Sequence, residues 1–431
     1  MSRMPLVLLL AQIVPSSANE YRHTGGGLTS VVMASIISML PPVTPPKAGV
    51  RDGGKLMRTV HLSGAYQADV PIILPSYTRL ILDGTMDALP YKLGWTAASA
   101  GAANQTASMV SAKGAQMVSV EGGSWSCAKW NASEAEGNCT TVTAIFFELT
   151  SFSFIRNLKV TGCGSWAGGN VSVGSDPRPT YSSGNIRIHG GQSNVVQNVE
   201  SAHSDNRGLW AQTNKLVVTG GSFHHNNADG IDLDSSSSHN TIHNVTAYMN
   251  GRMGIFMEFN SGYNTIVDCN MAGNHFAGIS PGSQDMGGWT PPPQYTVLIG
   301  NVLGPSTYPA GCPQSQRPCP SFCPTVPPSC RYFHSKGLPC GTCHYTDAAS
   351  GPSGFTRGMA VEGSIGTIAV LNDLGGSFGG AGSGRTFEAL VALNYNGAID
   401  NTGVLFDAPN KTSSVFSFNP DAKLCHTFHR C

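Results

Sequence analysis

The stretch "NNADGIDLDSSSSHNTIHNVTAYMNGRMGIFME", residues 226–258, contains the pair Gly-Ile twice, first at Gly230 and again 24 residues later at Gly254. An asparagine precedes each of these glycines by four positions. After the first glycine, apolar and acidic residues alternate over residues 231–234. Side chains on a strand point alternately to its two faces, so this alternation predicts a short strand with one apolar face and one acidic face.

The same unit recurs along the middle of the chain. Its five copies begin at Asn185, Gly208, Gly230, Gly254 and Gly278, in steps of 23, 22, 24 and 24 residues. Repeats of this length, built from short strands and Asn/Gly turns, are typical of a solenoid. The Leu-x-x-Leu-x-Leu pattern of a leucine-rich repeat is absent, and an ordinary sandwich would not keep this spacing over five units. We therefore predict a parallel β-helix with aliphatic ladders inside and asparagine ladders at the turns.

The composition restricts the function classes. With 12% charged residues and a formal net charge of zero over 431 residues, the chain has no global field that would attract nucleic acid or an anionic membrane. The 52 glycines and 27 prolines favour short strands joined by tight turns. We expect a local binding site on a monomer, with no nucleic-acid partner and no membrane span.

The chain divides into five predicted segments. Residues 1–18 have the pattern of an export signal, because Arg3 precedes an apolar run that ends in small residues. Residues 19–54 form a predicted N-terminal cap, in which apolar residues from Leu28 to Leu40 recur at the spacing of an amphipathic helix. The other segments are a β-helix over residues 55–304, a Cys/Pro-rich insertion over residues 305–346, and C-terminal β coils with a tail over residues 347–431.

Cysteine usage favours an oxidising compartment. Six of the twelve cysteines fall between Gly304 and Tyr345, namely Cys312, Cys319, Cys323, Cys330, Cys340 and Cys343. This Pro-rich segment has too few core residues to fold alone, so we predict that disulfides hold it. Cys340 and Cys343 have the spacing of a zinc or redox pair, but no second such pair accompanies them.

Glycosylation sequons agree with export. Six are present, at Asn104, Asn131, Asn138, Asn170, Asn244 and Asn410. Such sites are typical of surface loops in secreted proteins. We therefore predict a secreted glycoprotein that is extracellular or located in a cell wall.

Stacking of the coils gathers a mixed set of side chains on one outward face, which we call the strip. Its predicted members are Glu148, Arg187, His189, Trp210, Asp232, Asp234, Phe256 and Glu258. Adjacent coils lie about 4.8 Å apart, so Asp234 and Glu258 would repel by about 3.5 kcal/mol at an effective dielectric near 20. Protonation of one carboxyl, binding of a cation or splaying into water would relieve this repulsion. The neighbouring aromatic residues favour a sugar-binding cleft.

The coil pattern resembles the right-handed parallel β-helix superfamily of pectate lyases, polygalacturonases and alginate epimerases, over roughly Lys55 to Gly304. The resemblance implies an all-β, single-stranded right-handed parallel β-helix and a polysaccharide substrate. The segment "NNADGIDLDSS" is similar to the Asn-Thr-Asp-Gly-Ile-Asp motif of the polygalacturonases, which implies that Asp229 is a catalytic carboxylate. That family has an Asp pair one coil later, where this chain has Arg252 and Met253.

The other two relatives imply proton abstraction from a uronic acid. By similarity to pectate lyases, Asp232, Asp234 and Glu258 are expected to bind calcium. In that comparison, Arg187 or Arg207 is the expected base. Coils such as "YMNGRMGI" resemble the alginate epimerases, although their Asp-Pro-His motif is matched only by Asp176-Pro177-Arg178.

These comparisons define the expected function, a lyase or C5-epimerase acting on a uronic-acid-containing glycan. The candidate catalytic residues are Asp229, Asp232, Asp234, Arg187, Arg207 and His189. The candidate substrate-binding residues are Trp210, Phe256 and Glu148. A polygalacturonase-like hydrolase and a non-catalytic carbohydrate-binding or cell-wall protein are the alternatives.

Three further patterns have competing interpretations. His203 and His225 occupy the same offset on neighbouring coils, which is compatible with metal ligation, although turn histidines more often cap backbone groups. Arg207 and Asp229 also share an offset, which predicts an ion pair between coils. Cys269 aligns with inward-facing valines and is predicted to be a buried thiol.

Overall fold

The computed structural model describes only part of the chain. It covers residues 14–17, 20–37, 57–89, 106–127, 141–163, 184–303, 357–359 and 367–370, except 205, 227, 251, 259, 273, 275–276 and 282–292. Within these ranges the structure is almost entirely β, with one helix, α1 (Thr29–Ile37). No helix among the described residues is long and apolar enough to cross a membrane.

The strands are short and follow one another closely. They are β1 (Val14–Ser17), β2 (Glu20–Thr24), β3 (Gly27–Leu28), β4 (Arg58–Ala68), β5 (Ile72–Ile73), β6 (Thr78–Ala88), β7 (Thr106–Lys113), β8 (Ser119–Glu121), β9 (Ser124–Ser126), β10 (Thr141–Glu148), β11 (Phe154–Arg156), β12 (Lys159–Thr161), β13 (Gly184–Gln192), β14 (Val195–Ala202), β15 (Arg207–Asn214), β16 (Val217–His224), β17 (Ile231–Leu233), β18 (Thr241–His243), β19 (Thr246–Tyr248), β20 (Met253–Met257), β21 (Thr265–Val267), β22 (Asn270–Ala272), β23 (Ala277–Pro281), β24 (Val297–Ile299), β25 (Val302–Leu303), β26 (Arg357–Met359) and β27 (Ile368–Val370).

These strands form the two sheets of a parallel β-helix. The front sheet contains nine strands in the order β26-β23-β20-β17-β15-β13-β10-β7-β5, and the other 18 strands form the back sheet. In the front sheet, Ile186 pairs with Leu209 and Leu209 with Ile231, and the same position continues through the next two coils. The repeat predicted from the sequence is therefore confirmed. The inward residues form one continuous apolar core along the axis.

Close packing explains the glycine that begins each repeat. A Cβ atom on Gly208, Gly230 or Gly254 would lie 2.5, 2.6 or 2.5 Å from the carbonyl oxygen of the equivalent glycine on the next coil. Side chains cannot be accommodated at such distances. Glycine is thus required here by the stacking distance.

Buried asparagines join the coils beside these glycines. The Oδ1 atom of Asn250 accepts hydrogen bonds from the backbone N and the Nδ2 of Asn226, at 3.2 and 3.0 Å. Asn274 accepts the same two bonds from Asn250, at 3.1 and 2.9 Å. The ladder satisfies backbone groups that would be unpaired inside a turn. The predicted asparagine ladder is confirmed.

Sharp corners in the back sheet depend on residues that tolerate the left-handed backbone region. In six successive coils one such residue, with φ between 50° and 64°, lies between two short strands or within one longer strand; the set is Asn157, Asn198, Gly220, Asn244, Asp268 and Gly300. Glycine, asparagine and aspartate adopt this conformation most readily. The Asn/Gly/Asp composition of the turns therefore follows from the corner geometry.

The stack extends beyond the predicted bounds of the β-helix at its N-terminal side. Strand β2 pairs in parallel with β4, so parallel stacking begins inside the predicted cap of residues 19–54. Strand β1, in the segment predicted as an export signal, pairs antiparallel with β2. Helix α1 lies within the predicted Leu28–Leu40 helix. Its first residue, Thr29, donates a hydrogen bond to Asp69 (2.9 Å).

The C-terminal side continues the same pattern. Strands β26 and β27 pair in parallel with β23 and β24, so further coils follow residue 304. The Cys/Pro-rich insertion of residues 305–346, with its six cysteines, lies outside the described residues.

The cysteines and sequons of the described residues can be assessed individually. Cys127 and Cys163 form a disulfide. Cys269 is free and buried, as predicted. Asn244 is the one sequon asparagine within the described ranges, and it is exposed at a corner of the back sheet.

Candidate active site on the front sheet

The strip predicted from the sequence lies on the outward face of the front sheet. Arg187 pairs with Trp210, Trp210 with Asp232, and Asp232 with Phe256. One coil earlier, Phe146 pairs with Arg187 and Glu148 with His189. Asp234 and Glu258 directly follow strands β17 and β20 and hydrogen-bond to each other. The structure therefore brings the predicted strip residues together.

The strip has two rows that differ in exposure. The inner row is 2% exposed or less and consists of Arg187, Trp210, Asp232, Phe256 and Ser280. The outer row is only partly buried and consists of Glu148, His189, Gln212 and Asp234. A ligand can therefore reach the outer row, while the inner row supports it from behind.

Arg187 is held between two aromatic rings. Its guanidinium carbon lies 4.7 Å from the ring centroid of Phe146 and 4.9 Å from that of Trp210. Burial lowers the pKa of Arg187 to about 10, although the nearby carboxylates of Glu148 and Asp234 oppose this shift. The side chain is thus a fixed positive charge at neutral pH, since it protonates well above pH 7. This charge suits Arg187 for binding a carboxylate better than for acting as the base, which is the role predicted from the sequence.

His189 lies next to this cation on the outer row. Its ring centroid is 5.9 Å from that of Trp210. Burial and then the charge of Arg187 lower its pKa, while Glu148, Asp234 and Gln212 oppose the shift. The imidazole is therefore neutral at neutral pH and has a lone pair that can accept a proton.

A buried cluster of carboxyl groups occupies the following coils. The guanidinium of Arg207 forms a close ion pair with Asp232 through Nε, and its Nη2 lies 3.6 Å from Oε1 of Glu258. Burial raises the pKa of Asp232 to about 8, even though Arg207 opposes the shift. Arg207 is thus the counter-ion of this cluster, and the attraction of Asp232 and Glu258 raises the Arg207 pKa despite its burial.

Glu258 and Asp234 differ in how readily they hold a proton. Burial and the charges of Asp232 and Asp234 raise the pKa of Glu258 well above its ordinary value. Burial would also raise the pKa of Asp234, but the hydrogen bond from Glu258 and the charge of Arg207 lower it. Of the two carboxyl groups, Glu258 therefore holds a proton more readily and Asp234 ionises first. Protonation of one carboxyl was among the three predicted ways to relieve the repulsion.

Asp229 is fully buried and already bonded through both carboxylate oxygens. Arg252 donates from Nε (2.8 Å) and from Nη2 (2.5 Å), and the backbone N of Met253 donates at 3.1 Å. Nε of Arg207 lies 3.6 Å away, which confirms the predicted ion pair between coils. These contacts indicate a structural role for Asp229. The catalytic role implied by the polygalacturonase motif stays a prediction.

The predicted calcium ligands Asp232, Asp234 and Glu258 already lie near a cation of the chain, Arg207. In the part of the chain that the structure describes, no group of three or more His, Cys, Asp or Glu side chains is arranged to hold a metal ion. Calcium binding at these residues stays a prediction, and Arg207 would have to share the site.

One contributor to the site, Lys113, was not predicted from the sequence; it forms an ion pair with Glu148 at 3.0 Å. Phe146, which the repeat register places one coil before Arg187, forms one wall of the Arg187 sandwich. Extending the repeat back through β10 and β7 pairs Glu148 with Lys113. The sequence signal for this pairing is weak, because long stretches between the coils of β7, β10 and β13 interrupt the 22- to 24-residue spacing of the repeat.

The comparisons with known proteins agree with this fold. Residues 141–285 match the family described as "Right handed beta helix region", so this part of the parallel β-helix is right-handed. A comparison with curated proteins finds no match.

Similar solved structures have low sequence identity. Geobacillus virus E2 ORF18 is 11% identical with a TM-score of 0.43, over 64% of this chain and 54% of that one. The Dettilon tailspike protein is 12% identical with a TM-score of 0.44, over 78% and 60%. The mannuronan C-5 epimerase AlgE4 A-module of Azotobacter vinelandii is 11% identical with a TM-score of 0.34, over 73% and 87%. The chain thus spans just over half of the first two proteins.

Proposed function

We propose that the protein processes a uronic-acid-containing polysaccharide by abstracting the proton next to the sugar carboxylate, as a lyase or as a C5-epimerase. One observation carries the proposal. A neutral imidazole, His189, lies on the accessible outer row beside the fixed positive charge of Arg187 and close to the Glu258–Asp234 pair, which holds a proton. Base, cation and acid are thus present on one face.

Arg187 supplies the positive charge that makes proton abstraction from a uronate possible. The proton on C5 of a uronate becomes acidic only when the charge of the neighbouring carboxylate is offset. Arg187 is fixed by stacking on Phe146 and Trp210, so its charge is available without reorganisation of the side chain. We place the substrate carboxylate on the accessible outer row, where the charge of this buried guanidinium acts on it.

His189 is the proposed base. Its lowered pKa keeps it unprotonated at neutral pH, so it can take the C5 proton directly. The electron pair of the broken C5–H bond moves into the carboxylate and gives an enediolate-like anion. Arg187 stabilises the charge that develops on the carboxylate oxygens.

The Glu258–Asp234 pair is the proposed proton donor. In elimination, the anion expels the oxygen at C4 and this proton goes to the leaving oxygen. In epimerisation, a proton returns to C5 from the opposite face and no bond of the chain is cleaved. Both reactions start with the same abstraction, and the proposal covers both.

Hydrolysis is the second candidate function, because glycoside hydrolases also use a carboxylic acid together with a carboxylate. Those enzymes place their two carboxyl groups about 5 Å or more apart, so that a sugar carbon or a water fits between them. Asp234 and Glu258 are in direct hydrogen-bond contact instead. This contact leaves no room for a sugar carbon or a water between these two carboxyl groups, which favours proton abstraction over hydrolysis by this pair.

We further propose that the protein acts outside the cytosol. The Cys127–Cys163 disulfide supports this location, because such bonds persist mainly in oxidising compartments.

The test is a screen of the purified protein against pectate, alginate, glucuronan and a neutral glycan. Ultraviolet absorbance of unsaturated uronates detects elimination, proton NMR of the residue composition detects epimerisation, and reducing-end release without unsaturation detects hydrolysis. We expect one of the first two signals on a uronate polymer and none on the neutral glycan. Binding without any product would refute the proposal in favour of a carbohydrate-binding protein.

A further inference from the structure

Three histidines converge on the back sheet, outside the strip. The ring centroids of His203 and His225 are 5.2 Å apart, those of His224 and His225 are 5.0 Å apart, and those of His203 and His224 are 6.1 Å apart. The sequence had placed His203 and His225 at one offset. His224 joins them because it ends strand β16 directly before the left-handed His225.

Two ring nitrogens of this cluster face each other. The Nδ1 atoms of His224 and His225 lie 2.8 Å apart. On the other edge of its ring, Nε2 of His224 lies 3.6 Å from Oε1 of Glu200, which also forms an ion pair with Lys159. A carboxylate beside Nε2 favours the tautomer with hydrogen on that nitrogen, so Nδ1 of His224 carries a lone pair.

We propose that His224 and His225 chelate a divalent transition-metal cation of the Cu²⁺ or Ni²⁺ class through their Nδ1 atoms. With metal–nitrogen bonds of about 2.0–2.1 Å, neighbouring ligands in a square-planar or octahedral shell are about 2.9 Å apart. The observed separation of the two nitrogens is close to this value. The two nitrogens thus already have the separation of two neighbouring ligands of one ion.

The surroundings hold the two rings in this arrangement. His224 stacks on Tyr248 with centroids 4.6 Å apart, and His225 packs beside His203. Burial lowers the pKa of all three histidines, that of His224 to about 4, so their rings are neutral at neutral pH. Binding then requires only that the ring carrying hydrogen on Nδ1 changes tautomer.

The chemistry of the donors selects the metal class. Imidazole nitrogen suits copper, nickel and zinc, whereas calcium and magnesium require oxygen ligands. Because the described residues provide no ready group of three His, Cys, Asp or Glu ligands, water completes the coordination. Glu200 orients His224 from behind, as carboxylates commonly do for metal-binding histidines. The inference is independent of the polysaccharide chemistry proposed above.

Calorimetric titration of the untagged, full-length protein with Cu²⁺ tests the inference. The variants are His224→Phe, which keeps the ring stack on Tyr248, and His225→Asn, which tolerates the left-handed backbone. We expect each to weaken binding by about tenfold or more, and Glu200→Gln by about tenfold. Ni²⁺ and Zn²⁺ should bind more weakly than Cu²⁺.

His239→Asn is the matched control. His239 also lies at a left-handed turn (φ 60°) and stacks on an aromatic ring, that of Tyr263 at 5.0 Å. This variant should bind Cu²⁺ as tightly as the wild type. Electron paramagnetic resonance of the Cu²⁺ complex should show coupling to two nitrogens in the wild type and to fewer in His225→Asn. Equal affinity and equal nitrogen coupling in the wild type, His224→Phe and His225→Asn would overturn the proposal.

Discussion

Glu258 donates a hydrogen bond to Asp234 across two neighbouring coils of the front sheet. Stacking places these two acids close enough to repel strongly if both were ionised. Burial of Glu258 makes protonation the less costly state, and the shared proton converts a repulsion into a bond. This relationship underlies the proposed acid of the reaction.

Glu258→Gln should retain the stability of the wild type at pH 7. A neutral amide can donate to Asp234 as the protonated carboxyl does, so the free energy of unfolding should change by less than about 1 kcal/mol. Urea denaturation followed by circular dichroism measures this. A loss of more than about 2 kcal/mol would show that Glu258 is ionised and paired with Arg207 instead.

Arg207→Met should be strongly destabilising. The substitution leaves the buried Asp232 without its close cation, whereas Asp229 keeps Arg252, and breaking such a buried pair typically costs about 3–5 kcal/mol. Arg22→Met is the matched control. Its ion pair with Glu20 is exposed and should contribute at most about 1 kcal/mol.

The effect of calcium on the Tm is a second test of the carboxyl cluster formed by Asp232, Asp234 and Glu258. If Arg207 alone neutralises the acids, millimolar calcium should leave the Tm of the wild type unchanged. A Tm that rises with the logarithm of the free calcium concentration would instead support the metal site predicted at Asp232, Asp234 and Glu258. In that case Arg207→Met should destabilise the protein less in calcium than without it.

Gly230→Ala should destabilise the coil stack. The new methyl group would lie 2.6 Å from the carbonyl oxygen of Gly254 and 2.8 Å from Nδ2 of Asn250, so overpacking should cost at least about 1–3 kcal/mol. Gly262→Ala is the control, because its nearest contact would be an ordinary 3.4 Å. Thermal unfolding of both variants tests this prediction. Equal Tm values for Gly230→Ala and Gly262→Ala would contradict the close packing of the coils at Gly230.

The sequence predicted the strand faces and their stacking because both depend on local periodicity. Gly230 and Gly254 mark equivalent positions, and alternation then assigns Asp232 and Asp234 to the outward face. The corrections concern the bounds: parallel stacking begins at Glu20, since the irregular early coils lack the Gly-Ile motif.

The charge states could not be predicted in the same way. The direction of a strand side chain does not reveal whether it is covered, yet burial is what raises the pKa of Asp232 to about 8. The long side chain of Arg207 contacts acids on two later coils, so repeat spacing alone does not identify its partners. His224 occupies the last position of strand β16, so the turn offset that His203 and His225 share does not identify it.

The activity should have a bell-shaped dependence on pH. His189 must be unprotonated, so kcat/KM should rise with pH through a pKa below the ordinary 6.5 of histidine. The acid must be protonated, so activity should fall again as Glu258 loses its proton, at a pH set by a pKa that burial and the charges of Asp232 and Asp234 raise well above its ordinary value. A profile whose acid limb lies above pH 6.5 would exclude His189 as the base. The measurement requires the substrate identified in the screen.

Solvent deuterium incorporation at C5 of the uronate tests the central claim most directly. The polymer is incubated with the protein in D₂O, and its products are analysed by NMR and mass spectrometry. For an epimerase, we expect deuterium at C5 with the wild type, while a lyase should release the C5 proton from substrate labelled there. His189→Gln should lower either signal by about 10²- to 10⁴-fold with its fold intact. Turnover of the polymer with the C5 hydrogen fully retained would contradict the account, as would undiminished exchange in His189→Gln.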